Sequence, residues 1–351
     1  MTPEVVSDPV SRVRRPPVYG RHQFLGVAGF IVFASILATV LDSAYNYGLL
    51  SSWLTMSILG LGFYLVFGLG GQFAFSQAAF FGLGAYSSAW ASRSTSFGWG
   101  LLAAIVIGAA VALLFSLLVF RTNQFYFAIT TLAFSQIALV VFREFDAFTG
   151  SGGEVIGIRK PDAFGYQFNT DVRIVWLLIG AVGVALFLVA MIERSPLRRE
   201  ALAVHAQPTV AATLGMPTGR LRLLMFVLGS SFAAVAGSLQ AHRSGFISTE
   251  GFSVALAIDI FLILLLGGVS SMWGPIVGAA FVVVAPEKLR FIGNYRGMVY
   301  GILLILVIVV FPKGLVGLFE TGWNRIRRRQ STDPEILGDS SAPDPSLEVG
   351  R

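Results

Sequence analysis

The sequence has no cysteine, only three histidines and three lysines, and very little charge of either sign. Without cysteine there is neither a disulfide framework nor a thiolate metal site. His22, His205 and His242 stand far apart and no H-E-x-x-H run occurs, so the pattern of a zinc hydrolase is missing. No Gly-x-Ser-x-Gly nucleophile elbow is present either. A phosphate-cradling P-loop needs a lysine followed by Ser or Thr. Lys160, Lys288 and Lys313 are followed instead by Pro161, Leu289 and Gly314, so the chain has no Walker A and cannot hydrolyse ATP alone. No catalytic residue, metal ligand or bound cofactor is therefore expected on this chain, and any ATP dependence must come from a separate subunit.

Only 13% of the 351 residues are charged, against 55% hydrophobic. A soluble domain carries about a quarter charged residues, so much of this surface must face something other than water. Mean hydropathy is +0.75. Apolar runs near the ~20 residues needed to cross a bilayer recur along the chain. Stretches such as Leu101–Phe120 and Trp176–Ile192 carry no charge on any face. The fold class expected is an all-α, polytopic membrane protein with about ten transmembrane helices. The spans fall near Phe24–Leu41, Tyr47–Leu69, Phe73–Ala91, Trp99–Phe120, Phe125–Phe142, Ile174–Ile192, Leu223–Ala241, Val254–Leu266, Trp273–Pro286 and Met298–Phe311. The eighth and ninth are short and flank Gly267-Gly268 and Gly274-Pro275, which predicts tilted, broken or re-entrant segments. The first run is too long for a signal-peptide core and lacks a small-residue cleavage site, so it is expected to stay in the membrane.

The net charge of +6 does not point to nucleic acid, because the arginines sit beside hydrophobic segments and act as topology signals. Arg12, Arg14, Arg15 and Arg21 place the N-terminal segment, 1–21, in the cytoplasm. Arg194, Arg198, Arg199, Arg220 and Arg222 place the loop Glu193–Arg222 there too, and Arg325, Arg327, Arg328 and Arg329 do the same for the C-terminus. An even number of spans separates each pair of these regions, so the assignments agree. Lys288, Arg290 and Arg296 would fall outside in this scheme and disagree with it. The membrane domain is expected over 22–320, with 143–173 as an external loop. The tail, 321–351, is basic and then rich in Ser, Pro, Asp and Glu, the composition of a disordered segment.

Within Glu193–Arg222, Ser195-Pro196 reads as an N-cap followed by proline at the first helical position. Leu197, Ala201 and Val204 then share one helical face, with Arg198, Arg199 and Glu200 largely elsewhere. Pro208 opens a second short helix containing Val210, Ala211, Ala212 and Leu214, ended by Gly215 as a left-handed cap and by Pro217. Such a hairpin serves either as an amphipathic element on anionic lipid or as a coupling element that docks on an ATPase. An ion-coupled carrier remains the competing class. Its coupling needs several ionisable groups within the spans, and Asp259 is the plain case here. Asp259 costs about 3 kcal/mol at a helix centre, which the surrounding leucines, isoleucines and Phe261 return.

The run Val66-Phe67-Gly68-Leu69-Gly70-Gly71-Gln72-Phe73-Ala74-Phe75-Ser76-Gln77-Ala78-Ala79-Phe80-Phe81-Gly82-Leu83-Gly84-Ala85-Tyr86 resembles a signature of branched-chain amino acid ABC transporter permeases, the LivM/LivH type. Similar agreement continues through Tyr126–Leu132, Arg199–Leu202, Ala211–Gly215, Gly237–His242, Leu266–Ala280 and Phe311–Leu315. The length and long external loop look more like the LivM half. The resemblance implies an importer with a second homologous permease, two ABC ATPase subunits carrying ATP and magnesium, and an external, periplasmic solute-binding protein, set in the lipid bilayer of a bacterial inner membrane.

It implies branched-chain or related small amino acids as solutes, with urea, short amides and aromatic compounds as alternatives served by related permeases. It also makes Glu193–Arg222 the ATPase contact, through Pro196, Arg199, Glu200, Ala201, Ala211, Ala212, Leu214 and Gly215. Where the family commonly shows an Arg-x-Asn-Glu run, this chain has Val204-His205-Ala206-Gln207-Pro208. Gln72, Ser76 and Gln77 are expected to line the translocation path, because their polar groups would otherwise be stranded in hydrocarbon; Thr130, Thr131, Ser135 and Gln136 are weaker candidates, since Thr and Ser often bond back to their own helix. Asp259 is expected to be a structural acid partnered with another buried polar group.

Overall fold

A computed structural model describes residues 22–41, 43–93, 95–119, 124–145, 153–163, 166–310 and 314–317. The expected N-terminal segment 1–21 and tail 321–351 lie outside the described residues, as does part of 143–173.

Each expected apolar run carries a helix. In chain order these are α1 His22–Val40, α2 Ala44–Phe63 with a π-helical continuation Tyr64–Leu69, α3 Gln77–Ala91, α4 Phe97–Val119 and α5 Gln124–Glu144. Then follow α6 Asp171–Arg194, α7 Pro196–Ala206, α8 Pro208–Thr213 and α9 Thr218–Ser244. The last are α10 Val254–Gly267, α11 Gly274–Lys288 and α12 Arg296–Val310. Five are long and apolar enough to cross a membrane: Ala44–Leu69, Phe97–Val119, Tyr126–Glu144, Asp171–Arg194 and Thr218–Ser244. The others are shorter; α3 and α11, at 15 residues each, rise about 22 Å against a hydrocarbon core of about 30 Å. The third apolar run differs from expectation: Phe73–Ser76 is loop, and the helix begins only at Gln77.

The bundle is built around α9, which packs along α3, α4 and α2. Lipid offers helices no hydrophobic incentive to associate, so close contact depends on small residues. On α4 that is visible in one stripe: Gly100, Ala104, Gly108 and Ala112 are buried, whereas Val106, Leu113, Leu114, Leu117 and Leu118 are exposed. Along this stripe the buried residues are small, with Phe97, Phe115 and Val119 buried towards the helix ends, and the face left open is large and apolar. Between α3 and α9 the approach is closer still. A Cβ on Gly237 would lie 1.8 Å from the Phe81 carbonyl oxygen, and one on Gly84 would lie 2.1 Å from that of Ala234. Elsewhere α2 packs on α6 and α11, α1 on α6, and α10 on α11.

Among the described residues, four two-residue strands qualify the all-α description. β1 Val155–Ile156 pairs antiparallel with β4 Phe246–Ile247, and β2 Asp162–Ala163 with β3 Tyr166–Gln167. The first pair ties the 143–173 loop to the end of α9. Further ties hold that loop on the bundle: the Phe97 N–H donates to Asp162 Oδ1 at 2.9 Å, and the Tyr86 hydroxyl donates to the Gly153 carbonyl.

Candidate functional site

The helix that starts at Ala44 widens into its π-helical turn and then breaks at Gly70-Gly71. Gly71 has φ +65°, where a side chain is strained, and a Cβ there would meet the His205 ring at 2.6 Å. Irregular backbone is tolerated in a membrane protein when protein groups satisfy it, and here they do. The Gln72 N–H donates to the Val66 carbonyl at 3.1 Å. From α5, Thr131 Oγ1 accepts from the Phe75 N–H at 3.1 Å and Ser135 Oγ donates to the Phe75 carbonyl at 3.0 Å.

All three leading polar candidates are buried. Gln72 Nε2 donates to the Arg222 carbonyl at 2.8 Å, while its Oε1 has no partner among the described residues. Ser76 Oγ and both amide atoms of Gln77 are likewise buried without a partner. Each such atom costs about 1–3 kcal/mol if left dry. Thr130 bonds back to Tyr126 of its own helix at 2.7 Å and Thr131 to Ala128 at 2.8 Å, the second while also holding Phe75. Asp259 on α10 is half-buried and an electrostatic neighbour of Tyr300, but its carboxylate forms no hydrogen bond to the expected buried polar partner among the described residues.

Around the break lies a cluster of phenylalanines. Phe67 stacks on Phe63 at 5.7 Å and meets Phe73 edge-on at 4.5 Å. Phe261 of α10 contacts Phe63, Phe67, Phe73 and Phe75 at 5.8–6.4 Å. Phe73 is 41% exposed, so the cluster reaches the surface of the chain. Aromatic pairs in such offset arrangements each add about 0.5–1.5 kcal/mol beyond area burial.

The hairpin of α7 and α8 has its own small core, Val204, Ala211 and Leu221, with Leu197 and Met216 against it. Ala201 is buried in the main core. Pro196, Arg199, Ala212, Leu214 and Gly215 are exposed and Glu200 is half-buried, with Gly215 at the expected left-handed φ of +78°. Ala211 therefore faces inward and holds the hairpin together rather than offering a docking surface. Ser195 occupies the N-cap position, but its hydroxyl donates back to the Ile192 carbonyl at 2.7 Å and does not cap α7.

Three contacts join this hairpin and its flanks to the α2 break. The Tyr64 hydroxyl donates to Glu193 Oε1 at 2.5 Å in a buried site. His205 Nδ1 lies 3.3 Å from the Gly68 carbonyl, and Gln72 holds Arg222 as above. At the opposite end of α9, His242 is fully buried, not the solvated interfacial residue its position beside Arg243 suggests. Its Nδ1 donates to the Arg159 carbonyl at 2.8 Å, which leaves Nε2 to accept from Ser88 Oγ at 3.0 Å. Ser238 Oγ in turn donates to Ser88 at 2.7 Å. Tyr64, Glu193 and His242 were legible only as polar residues inside or beside apolar runs, a signal shared with many solvated residues.

Residues 46–308 match the family model described as branched-chain amino acid transport system / permease component. The chain is 30% identical over 284 residues to the high-affinity branched-chain amino acid transport system permease protein LivM of Salmonella typhimurium, covering 74% of this chain and 67% of that one. It is 25% identical over 286 residues to the permease protein LivH of Escherichia coli, covering 75% and 91% respectively. A shorter match, 32% over 132 residues, is to the permease protein BraD of Pseudomonas aeruginosa and covers 37% of this chain and 43% of that one. No solved structure matches.

Proposed function

From the premise that the chain belongs to the branched-chain amino acid transport permease family, we propose that it forms half of the translocation path of an ATP-driven importer. It is a non-enzymatic, multi-pass membrane subunit. In this reading the domain over 22–320 crosses the inner membrane about ten times, with α3, α10 and α11 as short or tilted crossings and both termini in the cytoplasm. A second permease of the LivH type completes the path. Two ATPase subunits bind ATP and magnesium, and an external binding protein delivers a branched-chain or related small amino acid. Urea, short amides and aromatic acids are the alternative cargoes.

The observation that carries the reading is the α7–α8 hairpin. It is internally packed yet leaves Val210 and Leu214 uncovered, the latter 72% exposed. A rigid element with an apolar tip suits a groove on a partner, because little side-chain freedom is lost on docking. Through Glu193, His205 and Arg222 it is fastened to the α2 break, beside which the phenylalanine cluster lies. Displacement of the hairpin on nucleotide-driven closure would thus act on Tyr64–Gln72 and on the cluster. Gln72, Ser76, Gln77, Thr130 and Thr131 would border the path only after such a movement, since four of the five are closed off here.

The test is co-purification from native membranes with wild type, Leu214→Asp and Ala212→Arg. Wild type should bring down ATPases and a second permease; both variants should lose the ATPases and keep the permease. Retention of ATPases in both variants would remove the docking site. Solute movement by the wild-type chain alone, driven by an ion gradient without ATP, would replace the importer with a carrier.

A further inference from the structure

We infer that the end of α9 remote from the coupling hairpin carries a receiving site for a free α-amino acid, with Glu250 as the recognition group for its ammonium. A cavity of about 480 Å³ opens there between α2, α3, α9, α10 and the short 3-10 turn Thr249–Phe252. That volume lies within the usual range of small-molecule sites, about 300–1,000 Å³. α9 has 27 residues and is about 40 Å long, so the cavity and the ATPase hairpin lie at opposite ends of the molecule.

The lining is divided by chemistry. Phe81, Phe252 and Leu256 are buried and Met56 half-buried, which gives a deep apolar part. Glu250 is exposed on the lining; its backbone carbonyl accepts from the Ser253 N–H at 3.4 Å, but its carboxylate has no hydrogen bond or ion pair among the described residues. Gln240, Ser244 and Ser248 are the other polar side chains of the lining, and the Ser244 hydroxyl is spent on the Phe246 carbonyl at 2.7 Å. Arg243 Nε donates to Gln240 Oε1 at 3.3 Å, while Arg243 Nη1 is held by the Gly48 carbonyl at 3.2 Å. With its oxygen engaged, the Gln240 amide presents Nε2 as a donor, and the Arg243 cation stands behind it. An acceptor-only carboxylate, an amide donor backed by a cation and an apolar base match the ammonium, carboxylate and aliphatic side chain of one zwitterion. Urea and short amides lack both charges, and an aromatic acid lacks the ammonium, so the lining favours an amino acid among the proposed cargoes.

The occupant's role as cargo rests on the importer reading above, and the experiment separates the two. The complete assembly, with its second permease and ATPases, is placed in lipid nanodiscs and irradiated with photo-leucine, the diazirine analogue of leucine. Labelled peptides are mapped by mass spectrometry, with competition by leucine or by its keto acid, 4-methyl-2-oxopentanoate. Labelling is expected within 240–256, displaced by leucine but not by the keto acid, and reduced at least fivefold by Glu250→Gln. Because Glu250 is exposed, that substitution leaves the packing intact. Labelling elsewhere or nowhere, equal competition by the keto acid, or an unchanged yield in Glu250→Gln would overturn the site. ATP-driven leucine uptake by the same wild-type assembly with its binding protein is measured in parallel. Its absence with labelling at 240–256 intact would defeat the importer and leave the amino-acid site standing.

Discussion

Replacing Gly237 by alanine should separate the two helices at the centre of the bundle. The new methyl carbon would lie 1.8 Å from the Phe81 carbonyl oxygen, 2.7 Å from its carbon and 3.1 Å from the Ala85 nitrogen. All three are backbone atoms, so no side-chain rotation relieves the clash. The closest ordinary C···O contact is about 3.3 Å, so α9 and α3 must part by about 1.5 Å at this point. The next residue, Ser238, donates to Ser88 across the same interface at 2.7 Å, and a shift of that size breaks the bond. Overpacking costs about 1–3 kcal/mol and the lost hydrogen bond about 0.5–1.5. The sum, about 2–4 kcal/mol, lowers the folded-to-unfolded ratio by roughly one to three orders of magnitude. The matched control is Gly180→Ala in α6, where a Cβ meets nothing within 4 Å and the better helix propensity of alanine should stabilise by up to about 1 kcal/mol. Thermal melting of the detergent-solubilised protein, followed by fluorescence-detected size exclusion, should place Gly237→Ala well below wild type and Gly180→Ala at or above it. Equal melting of the two variants would refute the close-packing account.

Tyr64→Phe removes the donor to Glu193 inside a buried site and should cost about 1–3 kcal/mol, read as a lower melting temperature; an unchanged melt would mean Glu193 finds another donor without loss. Ala211→Arg drives a charge into the hairpin's core and should expose Glu193–Arg222 to limited proteolysis, whereas Ala212→Arg should leave it resistant. Asp259→Asn should leave melting within about 0.5 kcal/mol of wild type, because the carboxylate makes no hydrogen bond among the described residues. Transport by the assembled importer should survive this change; its abolition would revive an ion-coupled role for the acid.

Much of the helical layout was legible because the bilayer makes the signal crude. A run such as Leu101–Val119 has no polar face to mislead, and its small-residue stripe is spaced as close packing in lipid requires. The hairpin was legible for a different reason. Two prolines, an alanine-rich pair of faces and Gly215 define its turns locally, without help from distant residues. Its orientation was not. Ala211 and Ala212 are chemically identical, and only the packing of α8 on Leu221 of α9 decides which one faces inward. The π-helical turn was equally hidden, since Tyr64–Leu69 reads as ordinary apolar helix and its side-chain partners, Glu193 and His205, lie well over a hundred positions away.

The same break explains why several polar residues stand where an apolar helix would be simpler. A continuous helix from Ala44 through Ala91 would satisfy its own backbone and need no side-chain partners. Once Gly70-Gly71 interrupts it, the groups of Gly68 and Phe75 must find partners away from water, each at a cost of about 1–3 kcal/mol if they fail. His205 from α7 supplies the first, and Thr131 and Ser135 from α5 supply the second. These residues belong to different elements, so the loop keeps its shape only while α5 and the α7–α8 hairpin hold their places. A stable helix would have been indifferent to movement of its neighbours. An interrupted one, held from both sides by groups on separate elements, is sensitive to either.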